Sequence, residues 1–370
     1  MREAGPIVWL PHYGTAAMAR YADVHAALDD WETFGSARGV GLTDFQLEEP
    51  WRPPSIILEA DPPLHTRTRS VLSKVLSKSA IEKLRGPFSA HADQLVDELL
   101  EQGSFDAIAA LAEAFPLRVF PDAVGVTEVG RENLLPYGDM AFNAFGPRNQ
   151  RFEASFANAQ KVSAWIVDQC DAAALSEAGF GAQIYALVES GDINYEEAGL
   201  LVRSLLTAGL DTTIFSIGGA IYCFAQHPQQ WSRLRENPKL VRNAVSEVIR
   251  YMSPIQTFFR TTTRPTQVSG VPLDAGRKVM LFLASANHDP SHFEHPDTFD
   301  IGRTNSASQL GFGQGIHKCV GQQLVRLEME VLLSALAAKI ERFELNGEPT
   351  WRLNNTLRGL DALPLSLHAG

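Results

Sequence analysis

The residues of this chain whose types and spacing could do chemistry fall into a few local patterns. In Phe312-Gly313-Gln314-Gly315-Ile316-His317-Lys318-Cys319-Val320-Gly321 a glycine-rich loop delivers one cysteine to the start of an apolar segment. Gly313 and Gly315 allow tight turning where a side chain would clash. Gly321 leaves room for a flat, bulky group, and Phe312 offers it a ring. Leu324, Leu327, Val331 and Leu332 then recur at helical spacing. A helix beginning at Cys319 would aim its first free N–H groups at the sulfur and favour the thiolate, which suits a metal ligand. Zinc held by His317 and Cys319 would need further ligands, and none stands at recognisable spacing.

The second pattern lies within Asn194 to about Gln226, which reads as one long helix with Asn194 as N-cap and Glu196 and Glu197 in its first turn. Its middle runs Arg203-Ser204-Leu205-Leu206-Thr207-Ala208-Gly209-Leu210-Asp211-Thr212-Thr213. An acid beside an alcohol in an apolar helix conflicts with local preference. Threonine and glycine weaken the helix, and Asp211 loses hydration unless it is paired or faces a cavity. Such conflicts tend to mark function; a buried capping network is the alternative.

Further polar groups stand in isolation along the chain. Trp51-Arg52-Pro53-Pro54-Ser55-Ile56-Ile57-Leu58 is a proline-stiffened loop with one arginine and one hydroxyl. In Asp61-Pro62-Pro63-Leu64-His65-Thr66-Arg67-Thr68-Arg69, proline opens a helix on which His65 and Arg69 share a face. Phe142 and Phe145 share a face as well, where core packing competes with a ligand wall. Glu247 and Arg250 are spaced to pair on a helix that Asn237-Pro238 opens.

The elements that must position these residues are mostly helical. Ile7–Leu10 and Ala17–Tyr21 read as strands, followed by a short helix Val24–Asp30 capped by Asp23. Residues 79–173 are helical in pattern, with Ala90–Leu100 amphipathic. Ile255–Thr261 alternates as a strand, residues 271–286 read as a hairpin turning at Asp274-Ala275-Gly276, and Arg342–His368 reads as terminal β structure. The 370 residues show no linker, repeat or low-complexity segment, so one domain over residues 1–370 is expected. At 45% hydrophobic the chain can bury a substantial core, and its net charge of −11 argues against nucleic acid or an anionic membrane as main partner. Three cysteines give no disulfide framework, and Cys170 and Cys223 read as buried small apolar residues. The longest apolar run, around Ile214 to Ala225, is about half of the roughly 20 residues a membrane span requires. With no signal peptide visible, a cytoplasmic monomer is expected.

The Phe312–Gly321 run resembles the haem-binding signature of the cytochrome P450 family, Phe-Gly-x-Gly-x-His-x-Cys-x-Gly, at every fixed position. Ala208-Gly209-Leu210-Asp211-Thr212-Thr213 resembles the family's oxygen-binding helix, and Glu247-Val248-Ile249-Arg250 with Phe299-Asp300-Ile301-Gly302-Arg303 resembles its structural ion-pair elements. These motifs span residues 61–321. The resemblance implies a mainly α fold with a smaller β region, haem b as cofactor, Cys319 as iron ligand, and dioxygen and an organic molecule as substrates. It implies haem propionate contacts from His65, Arg69, Arg260 and His317, packing by Phe312 and Gly321, room for dioxygen at Gly209, and proton delivery by Asp211 and Thr212. Glu247, Arg250 and Arg303 become an architectural network beneath the haem. Relative to the family the chain opens abruptly, since the usual preceding segment is missing. It contains no flavin or iron–sulfur motif, so the implied electron donor is a small 2Fe–2S ferredoxin with its NAD(P)H-dependent reductase, docking near Arg67, Lys74 and Lys318.

Within the family, Trp51-Arg52-Pro53-Pro54-Ser55, Phe142-Asn143-Ala144-Phe145-Gly146, Arg203-Ser204 and Thr257-Phe258-Phe259-Arg260 are similar to runs in bacterial enzymes that oxidise para-substituted benzoic acids, such as 4-methoxybenzoate O-demethylases. That resemblance implies Arg52, Ser55, Arg203 and Ser204 as carboxylate receptors. Leu58, Phe142, Phe145, Ala208, Ile255 and Phe258 would clasp the ring. Ser204, Ala208 and Thr212 recur at four-residue spacing, so one helix face would run from anion clamp past ring to oxygen site. The rival expectations are a peroxide-driven enzyme, a monooxygenase for a larger neutral molecule such as a terpenoid, and a non-catalytic haem sensor or carrier.

Overall fold

The structure is a computed structural model describing residues 1–370. Helices dominate and the β region is smaller, as expected from the motifs. The strands gather at one side. A mixed sheet runs in the order Val8–Leu10, Thr15–Met18, Lys278–Phe282, Thr257–Thr262, Phe34–Gly35, its Thr15–Met18 and Lys278–Phe282 strands parallel and the other pairs antiparallel. The terminal β structure forms as expected, with Pro364–Ala369 between Ser104–Asp106 and Ile340–Leu345, and Thr350–Leu353 paired to Arg358–Ala362. A large apolar core joins the helices to the terminal strands, and a smaller one lies under the mixed sheet.

Several boundaries differ from those expected. The first long helix is Tyr21–Asp29, one turn earlier than its expected cap, because the Tyr21 N–H donates to the Asp289 carboxylate at 2.7 Å. Asp23 is instead buried and accepts from the Ser269 hydroxyl at 2.7 Å. The helix opened by prolines is Leu64–Val75. Asn237-Pro238 opens only a short 3-10 turn before the Val241–Met252 helix. The 271–286 hairpin does not form: Val271–Leu273 turns back on Thr266–Val268 through Ser269-Gly270, while Lys278–Phe282 joins the mixed sheet and Leu283–Asn287 is helical. The turn residues were real; the pairing partner was local on the other side.

The most consequential difference lies in the stretch read as one helix. It is two, Tyr195–Ala208 and Asp211–Gln226, broken at Gly209-Leu210. Asn194 caps the first through a reciprocal capping box with Glu197. Together they pass a length and hydropathy test for a membrane span, yet 72% of the apolar window is buried among other helices, the habit of a core helix. Glycine at 209 is required by crowding, since a Cβ there would lie 2.2 Å from the Phe120 ring. The space a Cβ would need is taken up by Phe120, while Gly209 itself still lines the main cavity.

Candidate active site

One cavity runs between the broken helix and the Cys319 loop, enclosing about 1700 Å³ of space free of protein atoms, part of it open to solvent. The loop forms its floor. Gly313 and Gly315 adopt φ of 69° and 68°, the left-handed region that glycine enters at little cost, and a Cβ on Gly315 would sit 2.6 Å from the Leu28 carbonyl. The Cys319 N–H returns to the Phe312 carbonyl at 2.8 Å, closing the loop beneath the sulfur. The helix that follows is Gln322–Lys339 rather than one beginning at Cys319. The later start matters: the N–H groups of Gly321 and Gln322 are thereby free to point at Sγ. Burial pushes the thiol up, and those N–H groups with Arg69 and Arg326 pull it back toward the thiolate.

Around the floor stand cationic and imidazole groups without a carboxylate in hydrogen-bond reach. Arg69 and Arg260 line the cavity. Arg260 is buried and bonds only to its neighbour's carbonyl, at 2.8 Å, and burial pulls it down to about 10 against the opposing pull of Asp61. Desolvation lowers His65 to about 4, with His317 and Arg69 adding to the effect. The rings of His65 and His317 are 4.3 Å apart, and the Nε2 atoms of both are buried without a hydrogen-bond partner. His317 lies 3.8 Å from Asp61, an electrostatic neighbour too distant for a hydrogen bond. His65 itself is not among the cavity-lining residues, whereas His317 and Phe312 are.

The Asp211–Thr212 pair diverges. Thr212 lines the cavity and its hydroxyl donates to the Ala208 carbonyl at 3.0 Å. Asp211 turns away, fully buried against Gly138, with Oδ2 unpartnered and its carboxyl pushed up to about 8 by desolvation, opposed by Arg352. Beneath the site, Glu247 and Arg250 are completely buried and bidentate, both contacts 2.8 Å, and Arg303 reaches the same carboxylate at 3.1 Å. Arg250 also donates to the carbonyls of Asn287 and Pro296, so the expected trio ties three chain segments together.

At the other polar end Arg52, Ser55 and Ser204 line the cavity, the two hydroxyl oxygens 3.0 Å apart. Leu58, Phe142, Phe145, Ala208, Ile255 and Phe258 all line it between, and Phe145 meets Phe142 and Phe258 edge to face. Arg203 is the exception. It is buried outside the cavity wall and donates to the Pro53 carbonyl at 2.6 Å, fastening the proline loop to the Tyr195–Ala208 helix.

Residues that sequence reasoning missed include Asp61, Glu59 and Glu328. Glu59 accepts from the Ser55 N–H at 2.7 Å and from Arg52 at 3.3 Å. Glu328 lines the cavity, is fully buried with neither oxygen partnered, and burial holds its carboxyl well above the usual range. Its signal was legible: it falls on the apolar stripe set by Leu324, Leu327 and Val331, where a lone acid has no local reason to be.

The cytochrome P450 family model matches residues 184–360. Cytochrome p450 CYP199A2 of Rhodopseudomonas palustris is 54% identical over 368 residues, covering 99% of this chain and 89% of that protein. The beta-dihydromenaquinone-9 omega-hydroxylase of Mycobacterium tuberculosis is 32% identical over 357 residues, covering 95% and 71%. The solved structure of cytochrome P450 CREJ in complex with (4-ethylphenyl) dihydrogen phosphate superimposes with a TM-score of 0.89 at 26% identity, covering 99% of this chain and 95% of that one. The chain belongs to the cytochrome P450 family and is a cytochrome P450 monooxygenase.

The family's cofactor is haem b, and the cavity suits it. Arg69 and Arg260, which have no carboxylate partner, and the unpartnered Nε2 atoms of His317 at the cavity wall and of His65 beside it match propionate carboxylates, the glycine loop presents a buried sulfur, and Phe312 offers a ring face. When bound, haem ligated by the thiolate supplies the dioxygen-activating chemistry, its electron density raised by the sulfur.

Proposed function

We propose that this monooxygenase oxidises para-substituted benzoic acids, 4-methoxybenzoate by O-demethylation among them. The observation that carries the reading is the ladder Ser204, Ala208, Thr212, Ser216, all of which line the cavity at four-residue steps. Eight residues at helical rise give roughly 12 Å from Ser204 to Thr212, with the break at Gly209-Leu210 inside that span. That length accommodates a carboxylate, one benzene ring and a short para substituent. The polar end carries two guanidiniums, Arg52 and Arg203, against the one carboxylate of Glu59, and a substrate carboxylate would neutralise the excess. Arg52 and Ser55 would receive the anion beside Ser204, with Arg203 holding the loop that presents them. The aromatic wall would fix the ring so that the para group faces the site of oxidation, which is catalysis by positioning. Thr212 and Asp211 would manage proton delivery, Thr212 at the cavity wall and Asp211 as a protonated acid behind it. The related solved structure holds (4-ethylphenyl) dihydrogen phosphate, also a para-substituted ring with an acidic head, though one of a different charge. Electrons would come from a ferredoxin and its NAD(P)H-dependent reductase.

The test is titration of the ferric protein with 4-methoxybenzoic acid, its amide and its methyl ester, following the haem Soret band. The acid should produce a low-to-high-spin shift and bind far more tightly than either neutral analogue. Equal affinities would defeat the benzoate reading and leave the monooxygenase assignment intact.

A further inference from the structure

We infer that Glu59 is a positioning residue that tunes the carboxylate seat to a single negative charge, so that the enzyme selects monoanions and rejects dianions of the same shape. The inference rests on the benzoate reading and goes beyond it. Glu59 does not line the cavity; it acts through two residues that do. Its carboxylate is 4% exposed, accepts from the Ser55 N–H at 2.7 Å and pairs with Arg52, itself 9% exposed, at 3.3 Å. Its own N–H donates to the Ser55 carbonyl at 2.9 Å, so the acid and the hydroxyl are two ends of one turn. Only part of the Arg52 guanidinium is spent, since its Nε is buried with no partner.

Counting charge at this end decides the selectivity. Arg52 and Arg203 contribute two positive charges and Glu59 one negative. Lys278 also feels Glu59, but Asp44 is the larger of its acidic neighbours. A monoanion bound beside Arg52 brings the cluster to neutrality. A dianion leaves one uncompensated negative charge in a buried site and close to Glu59, which costs heavily in a low dielectric.

The test uses a matched pair of tetrahedral acids, 4-methoxybenzenesulfonate, a monoanion, and (4-methoxyphenyl)phosphonate, which is doubly ionised at about pH 8. Dissociation constants come from Soret titration and calorimetry on the haem-loaded protein. The natural protein should prefer the sulfonate by roughly tenfold or more. Glu59→Gln should narrow or invert that preference, improving the phosphonate by roughly tenfold relative to the sulfonate. Glu59→Asp, which keeps the charge, should restore the original ratio. If Glu59→Gln moves both ligands equally, Glu59 is merely structural and the inference fails. Should Glu59→Gln not fold, the natural protein still decides, because equal affinity for the two acids overturns the charge count. Failure of the parent reading looks different: there 4-methoxybenzoate and its amide bind alike, whatever stands at position 59.

Discussion

Cys319 and Thr212 face one cavity from different elements, and their substitutions should separate cofactor ligation from proton handling. Cys319→Ser should lose the thiolate signature of the ferrous carbonyl complex and with it monooxygenation; retention of both would refute the ligand assignment. Thr212→Ala should keep substrate affinity while diverting reducing equivalents to hydrogen peroxide, measured as product formed per NAD(P)H consumed. At the polar end the two arginines should behave differently. Arg52→Ala removes a cavity-lining cation, so the acid should weaken by roughly 30-fold or more while the amide changes little. Arg203→Ala strips the Pro53 carbonyl of its donor, loosens the loop and removes one of the two positive charges at this end, so both ligands should weaken, the acid more than the amide. An unchanged affinity for the amide would mean that Arg203 acts through its charge alone.

The broken helix and the buried ion-pair network make predictions that belong to elements. Asp211 has a folded-state pKa near 8, raised from an ordinary carboxylate value, so the folded protein holds a proton that the unfolded chain releases. Its contribution therefore falls as pH rises from about 4 toward 8. Asp211→Asn should flatten the decline of Tm with pH across that window and slow turnover. An unchanged slope would show that Asp211 does not titrate within it. Arg250→Ala leaves Glu247 buried without its bidentate partner and should cost roughly 3–5 kcal/mol in chemical unfolding. Sequence made most of this visible, for a reason that differs by element. The Cys319 loop, the Glu247–Arg250 pair and the Ser204–Ala208–Thr212 face are set by local spacing, and local spacing is what a sequence displays. The need for glycine at 209, beside the helix break, was hidden because the Phe120 ring that crowds it comes from a distant part of the chain. The same holds for the cap of the Tyr21–Asp29 helix, supplied by Asp289, and for Arg203, whose partner is a carbonyl of the proline loop. The role of Glu59 depends on a turn that only folding creates.

Over the whole molecule the charge is −11, and an acidic iron–sulfur donor would need a local cationic patch to dock. Arg67 and Lys74, expected there, already pair with Glu197 and Asp192. Those pairs tie the Leu64–Val75 helix to the segment that opens the Tyr195–Ala208 helix, so they are scaffold as much as docking surface. Lys318, in the loop under the haem site, is then the cation to test. Lys318→Glu should slow reduction by a ferredoxin, measured by stopped flow, and leave the dissociation constant of 4-methoxybenzoate unchanged. Equal reduction rates would move the dock elsewhere.

The hydroxyls on the Tyr195–Gln226 stretch have a consequence best seen by counting movable protons. Ser204 gives its hydroxyl proton to the Leu200 carbonyl at 2.9 Å, Thr212 to Ala208 at 3.0 Å and Ser216 to Thr212 at 2.6 Å. Each presents a lone pair to the cavity and no spare donor. Ser55, by contrast, rests its proton on the Ser204 oxygen at 3.0 Å and can swing it to an incoming oxygen without stripping a carbonyl. An arriving carboxylate thus finds one hydroxyl proton free to meet it. Ser55→Ala should accordingly weaken the acid more than Ser204→Ala does, although the two serines touch and look equivalent.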